Sequence, residues 1–344
     1  MRISELALRI VFLAMATVLV AVEGLAVDVP EETTRYTKVS PAVKKAIQRG
    51  LSYMKLSQND DGSWGGQHKI TQTSLAIMGF LVPGHDPQED LYGRQIDRAI
   101  TYLLTRAKHH GGYFADETSQ VLYQHSFAVL ALSEVWGQSK RGDIGPALRT
   151  AVNILLKAQG STGGWRYEPR PSGTDISCTG TAIQGLASAR EAGILVPDHV
   201  INKAIRCMRA HQSRRTGYFN YGQGGGDGGN PTLYRCGIGP LALYMLGDRD
   251  SVVLRRGLAV LIKQPESVFN SSGQYFLAHY YCVQTCYQAG DKYFNYWYPR
   301  ISRSLLAQQQ ANGGWGGGSE FGMSTPLAIL ILGVPYRYLP IYQR

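Results

Sequence analysis

Two kinds of segment alternate along the chain. One kind mixes Leu, Ile, Val and Ala with Lys or Arg at helical spacing, at 44–56, 97–108, 147–157, 199–209, 252–263 and 300–309. That is the pattern of a helix with one face in water. The other kind, at 70–82, 119–132, 176–189, 233–246, 275–289 and 321–333, carries one arginine, Arg235, and no Lys, Asp or Glu. A helix apolar on nearly every side has to be buried on nearly every side. The pattern predicts six hairpins, each with an outer and an inner helix.

Turn signals join the two kinds. They stand at Asp61-Gly62-Ser63-Trp64, Gly111-Gly112-Tyr113, Gly163-Gly164-Trp165, Thr216-Gly217-Tyr218, Ser272-Gly273-Gln274-Tyr275 and Gly313-Gly314-Trp315. A period of about 50 residues marks a repeat architecture. Stacked hairpins either run on as a solenoid, which needs polar capping repeats, or bend into a ring. Neither end unit is polar, so the expected fold is all-α, an (α/α)6 toroid with inner and outer helix rings. It spans 44–334, after an extension at 27–43 and before a tail at 335–344 that should seal the ring across the first hairpin.

Composition adds an address. At 344 residues and 44% apolar content the chain can bury a large core. Arg2 and Arg9 precede an apolar run at 10–22, and small residues follow near Ala26. These are the marks of a secretory signal at 1–26, so the mature protein is expected to be periplasmic or secreted, with an uncleaved anchor as the alternative. Five cysteines, odd in number and mostly in inner segments, are expected to be buried free thiols rather than a disulfide framework. The net charge of +10 is spread over the outer segments. It suits contact with an anionic membrane surface or cell-wall polymer; no motif suggests nucleic acid.

Three turns share one spacing: Gln58-x-x-x-Gly62-x-Trp64, Gln159-x-x-x-Gly163-x-Trp165 and Gln309-x-x-x-Gly313-x-Trp315. Glycine relieves a left-handed helix end, the glutamine amide satisfies orphaned backbone groups, and the indole packs across the joint. The pattern resembles the repeat of squalene–hopene and oxidosqualene cyclases and, in weaker form, of protein prenyltransferase β subunits. The resemblance covers about 44–334 and implies the toroid. Known cyclases look like two such toroids in one chain; here there is one. Their acid motif opens an inner helix, and the matching stretch here is Asp175-Ile176-Ser177-Cys178-Thr179. Lined up on Thr179, the family's proton-donating Asp is replaced by Ser177, which leaves Asp175 as the carboxyl group at hand.

Aligning the inner segments puts Thr73, His125, Thr179, Cys236, His279 and Thr325 at one level, expected to face or border the lumen. The expected catalytic residues are Asp175 as acid with His125 or His279 as partner. The expected ligand-binding residues are Tyr123, Phe127, Cys178, Thr179, Tyr234, Tyr280 and Phe321, with aromatic rings available for cation–π contacts. Each has a plainer reading: Asp175 as a helix cap, the histidines as hydrogen-bonded core residues, the rings as core. No cofactor is expected; zinc on Asp175, Cys178 and His279 is the alternative. The leading expectation is an exported toroid binding an apolar, isoprenoid-like or lipid ligand, with cyclase or prenyl-transfer chemistry. The rival is a non-catalytic scaffold binding protein or cell-wall material at its rim.

Overall fold

The computed structural model describes residues 39–88, 91–115, 120–223, 232–271, 273–316 and 322–343. The signal segment at 1–26 and Phe321 lie outside them. Among the described residues the outer helices are α1 (Pro41–Leu56), α3 (Gly93–His109), α5 (Ile144–Ala158), α7 (Asp198–His211), α9 (Val252–Ile262) and α12 (Asp291–Gln308). The inner helices are α2 (Lys69–Leu81), α4 (Val121–Trp136), α6 (Ile176–Glu191), α8 (Leu233–Met245), α11 (Tyr275–Ala289) and α13 (Ser324–Gly333). A short α10 (Glu266–Ser271) stands in the fifth connection.

Each inner helix packs on the next, from α2 through α4, α6, α8 and α11 to α13, and α13 packs back on α2. The ring is closed. The shared turn spacing supplies the clasps. Gln58 Nε2 donates to the carbonyls of Gly62 and, on the next outer helix, Gln95, both at 2.9 Å. Gln159 does the same to Gly163 and Val200 at 2.9 Å. Gln309 repeats it at 2.7 Å to Gly313 and 2.8 Å to Ala46, which ties the sixth hairpin to the first. The indole N–H groups of Trp64, Trp165 and Trp315 donate to Met54, Leu155 and Leu305 at 2.7–2.8 Å. Gly313 is obligatory on two counts. Its φ is +92°, and a Cβ there would lie 2.6 Å from the Arg49 carbonyl oxygen.

The ring that fills each joint is not always the one the turns point to. Phe114 and Phe219 are fully or almost fully buried, while their neighbours Tyr113 and Tyr218 are only half-buried. Tyr275 opens α11, and the fifth joint is filled by Phe269 of α10. The tail lies against the end of the first hairpin, with Tyr338 beside Gly84, and reaches beyond it. Its turns at Val334–Tyr336 and Pro340–Tyr342 cross the carboxyl ends of several inner helices. Ile341 N–H reaches Glu134, Gln288 reaches the Gln343 carbonyl, and the Tyr342 hydroxyl reaches the Leu330 carbonyl. Two prolines prevent it from continuing α13, and the apolar ends of the inner helices are the surface that most needs cover.

Candidate functional site

All inner helices start at one end of the ring, here called the mouth, and end at the floor under the tail. At the mouth Asp175 is the N-cap of α6. Its Oδ1 accepts the Cys178 N–H at 2.9 Å. Its own N–H donates to the Trp165 carbonyl, and Ile176 N–H donates to Tyr221, so two loops fix its place. Asp175 is 1% exposed, and Oδ2 has no hydrogen-bond partner. Burial raises its carboxyl above the usual range, against the pull of the Cys178 and Ser177 N–H groups and the Arg166 guanidinium. The group is thereby biased toward its acid form.

Tyrosines surround it. The Tyr167 and Tyr221 hydroxyls lie 2.6 Å apart and both interact electrostatically with Asp175. Tyr221 is 44% exposed, so the pair reaches solvent. Tyr123, half-buried, lies next to Tyr167 and Cys178 and turns toward Tyr234 and Tyr281. Tyr234 and Tyr281 meet edge to face at 5.2 Å, and Tyr123 meets Phe127 the same way at 5.3 Å. Deeper in, Tyr280 packs on Tyr281 and faces Gln184, Gln284 and Glu134. Tyr280 and Tyr281 are fully buried, so side chains fill the middle of the lumen. Burial holds all these hydroxyls neutral by raising their pKa values.

The common level exists, but it faces outward. Thr73, His125, Thr179 and Thr325 each accept the backbone N–H of the joint residue, Trp64, Phe114, Trp165 and Trp315, at 2.9–3.1 Å. His125 also bonds the Ala151 carbonyl on α5, and His279 bonds the Phe269 carbonyl. Burial depresses both imidazoles, to about 4 for His125 and about 3 for His279. They are neutral pins of the joints, and the catalytic role expected of them does not fit this geometry. Two residues along a helix is 200° of turn, so Ser177 and Thr181, not Thr179, face the lumen; their neighbours there are Tyr234 and Tyr281.

The zinc set is not assembled either. The Cys178 thiol donates to the Arg166 carbonyl at 3.0 Å, and burial raises its pKa well above the usual value. Among the described residues no three His, Cys, Asp or Glu side chains are grouped to hold a metal. All five cysteines are buried and free.

The expected residues therefore divide. Asp175, Tyr123, Phe127, Tyr234 and Tyr280 line the mouth and lumen; Cys178 lies at the mouth's edge; Thr179, His125 and His279 belong to joints. Sequence reasoning missed Tyr167 and Tyr221, which sit on connections with no periodicity, and Glu134. Glu134 is 1% exposed and burial pushes its carboxyl up to about 8. The available signal was a lone acid near the end of a charge-free helix.

No family model matches the chain. It is 31% identical to α-onocerin synthase LCD of Lycopodium clavatum over 140 residues, covering 36% of this chain and 17% of that protein. It is 28% identical to the lanosterol synthase of Aspergillus fumigatus over 151 residues, 40% of this chain and 19% of that one. The matches thus span less than a fifth of these curated relatives. Among solved structures, the α-1,6-mannanase of Salegentibacter sp. HEL1_6 superposes with a TM-score of 0.64 at 11% identity, covering 86% of this chain and 99% of that one. The type II terpene cyclase MstE from Scytonema superposes with a TM-score of 0.56 at 12% identity, covering 87% and 98%. These structural likenesses establish the α/α-toroid fold, and the sequence matches make the chain similar to oxidosqualene-type cyclases.

Proposed function

We propose that the protein is an exported, single-toroid relative of the terpenoid cyclases that binds an isoprenoid-like ligand at its mouth, with Asp175 as the acid. The observation carrying this reading is the state of Asp175, a buried, neutral-leaning carboxyl group beside a wall of tyrosines. Proton-initiated cyclisation needs such an acid. The Asp175 proton adds to a terminal alkene carbon, leaving a tertiary carbocation next to the electron-rich faces of Tyr123 and Tyr167. The cation is quenched by closure onto a second alkene and loss of a proton. The carboxylate regains a proton from solvent on the side where Tyr221 is exposed.

The similarity to cyclases supports this reading, and so does the contrast with the mannanase. That enzyme is inactive when two adjacent aspartates are replaced. Arg166 is the charged side chain that acts on Asp175, with no second carboxylate among the described residues. Among the described residues, hydrolysis of glycosides by paired carboxyl groups therefore lacks its second member beside Asp175. The filled lumen favours a second reading, a non-catalytic scaffold whose rim engages a partner, and the spread positive charge suits an anionic membrane surface or cell-wall polymer.

Lipid extraction of the purified mature protein followed by mass spectrometry separates the two. A co-purifying isoprenoid that Asp175→Asn still binds but no longer converts supports the acid role. Unchanged conversion by Asp175→Asn removes it, and an extract free of isoprenoid favours the scaffold.

A further inference from the structure

The opposite end of the ring holds a second set of polar groups with no task in that reading. Two cavities open at the floor, one of about 480 Å³ lined by Glu134, Trp136, Ser188, Glu191 and Pro340. The other, of about 270 Å³, is lined by Gln184, Ser188, Arg249, Gln288 and Pro340. Pro340, Ser188 and Glu191 border both, so the tail crosses one continuous depression. Its volume lies in the usual range of small-molecule sites, about 300–1,000 Å³.

The hydrogen-bonding inventory is unusual. Gln184 is 1% exposed and borders the cavity; its amide faces the Tyr280 hydroxyl but closes no short hydrogen bond with it. The Gln288 Oε1 atom, on the same cavity wall, is buried without a hydrogen-bond partner, while its Nε2 holds the Gln343 carbonyl. Buried amides are stable when their hydrogen bonds are completed, and Gln184 and Gln288 both border this cavity with capacity to spare, which suits a polar occupant. The Glu134 carboxyl, bonded to the Ser188 hydroxyl and the Ile341 N–H, is kept neutral there by burial. Glu191 and Arg249 add one charge of each sign to the lining.

A neutral carboxyl group and primary amides each donate and accept, as do the hydroxyl groups of a sugar. Trp136 adds an apolar face of the kind on which a sugar ring can rest. We propose that the floor is a ligand site for a neutral, hydroxyl-rich molecule of the oligosaccharide class, seated beside the tail and hydrogen-bonded by Gln184, Gln288 and Glu134. The proposal does not depend on the mouth, which lies at the other end of the inner helices.

Isothermal titration of the full mature protein with α-1,6-mannotriose and with maltotriose tests it. At least one trisaccharide is expected to bind, and Gln184→Leu should weaken it tenfold or more. The same variant should still fold, because the amide closes no short hydrogen bond in the protein. Asp175→Asn should bind the sugar like the parent. Absence of heat with both sugars at millimolar concentration overturns the proposal. So does binding that Asp175→Asn abolishes and Gln184→Leu leaves intact, which would put the sugar at the mouth. Should Gln184→Leu fail to fold, Gln288→Leu carries the test, with the same loss expected and unchanged affinity counting against it.

Discussion

Glu134 and the two joint histidines place opposite pH dependences in one core. The Glu134 carboxyl has its pKa raised from 4.5 to about 8 by burial. The stability of the neutral form is complete below pH 4.5 and is lost as pH climbs through 8, by on the order of a few kcal/mol. His125 runs the other way. Its pKa is lowered from 6.5 to about 4 by burial, so its contribution is present above pH 6.5 and disappears as pH falls toward 4. Denaturant unfolding should show stability rising to about pH 6.5, where the histidines are neutral in both states, and falling from there to pH 8.5; Glu134→Gln should flatten that upper limb. An alkaline limb equally steep in Glu134→Gln would contradict the burial assigned to this carboxyl group. Asp175 and Glu134 were not equally visible beforehand. Asp175 follows Ser172-Gly173-Thr174 at a helix start, a local signal, whereas nothing local says that α4 still lies inside the ring at Glu134.

At the scale of elements, the Gln-to-carbonyl clasps carry the closure. Gln309→Ala removes bonds to Ala46 and Gly313, and Gln58→Ala removes their counterparts in the first joint. Each should lower unfolding free energy by about 1–3 kcal/mol, with equal effects because in a ring no joint is terminal. A negligible effect for Gln309→Ala alone would mean an open end. Gly313→Ala should cost clearly more than Gly193→Ala. Both glycines have positive φ, but a Cβ at Gly193 meets no atom within 4 Å, while one at Gly313 collides with the Arg49 carbonyl. Equal melting temperatures of the two variants would refute that close approach. The turn chemistry was legible because glycine, glutamine and tryptophan act locally. Which ring fills a joint was not legible where two adjoin, as at Tyr113-Phe114 and Tyr218-Phe219. Which face of an inner helix meets the lumen was hidden for a different reason. A helix buried all round has no polar face to orient it, so one level of residues could be found but not its direction.

For the whole molecule, the repeat separates two ends with different chemistry: an acid among tyrosines at the mouth, and amides around a neutral carboxyl group beneath the tail. Both depend on six charge-poor helices sharing one axis, because only closure buries Asp175, Glu134 and the column of tyrosines between them. Their burial sets the protonation states argued above. The burial of the five native thiols permits selective spin labelling at new surface cysteines. Pulsed electron–electron distance measurement between labels at Lys45 on α1 and Ala307 on α12, both exposed, tests closure most directly. The account predicts one narrow distribution at the separation of neighbouring packed helices, whose axes lie about 8–10 Å apart. A broad distribution extending to several times that length, with the first and last hairpins apart in solution, would contradict it.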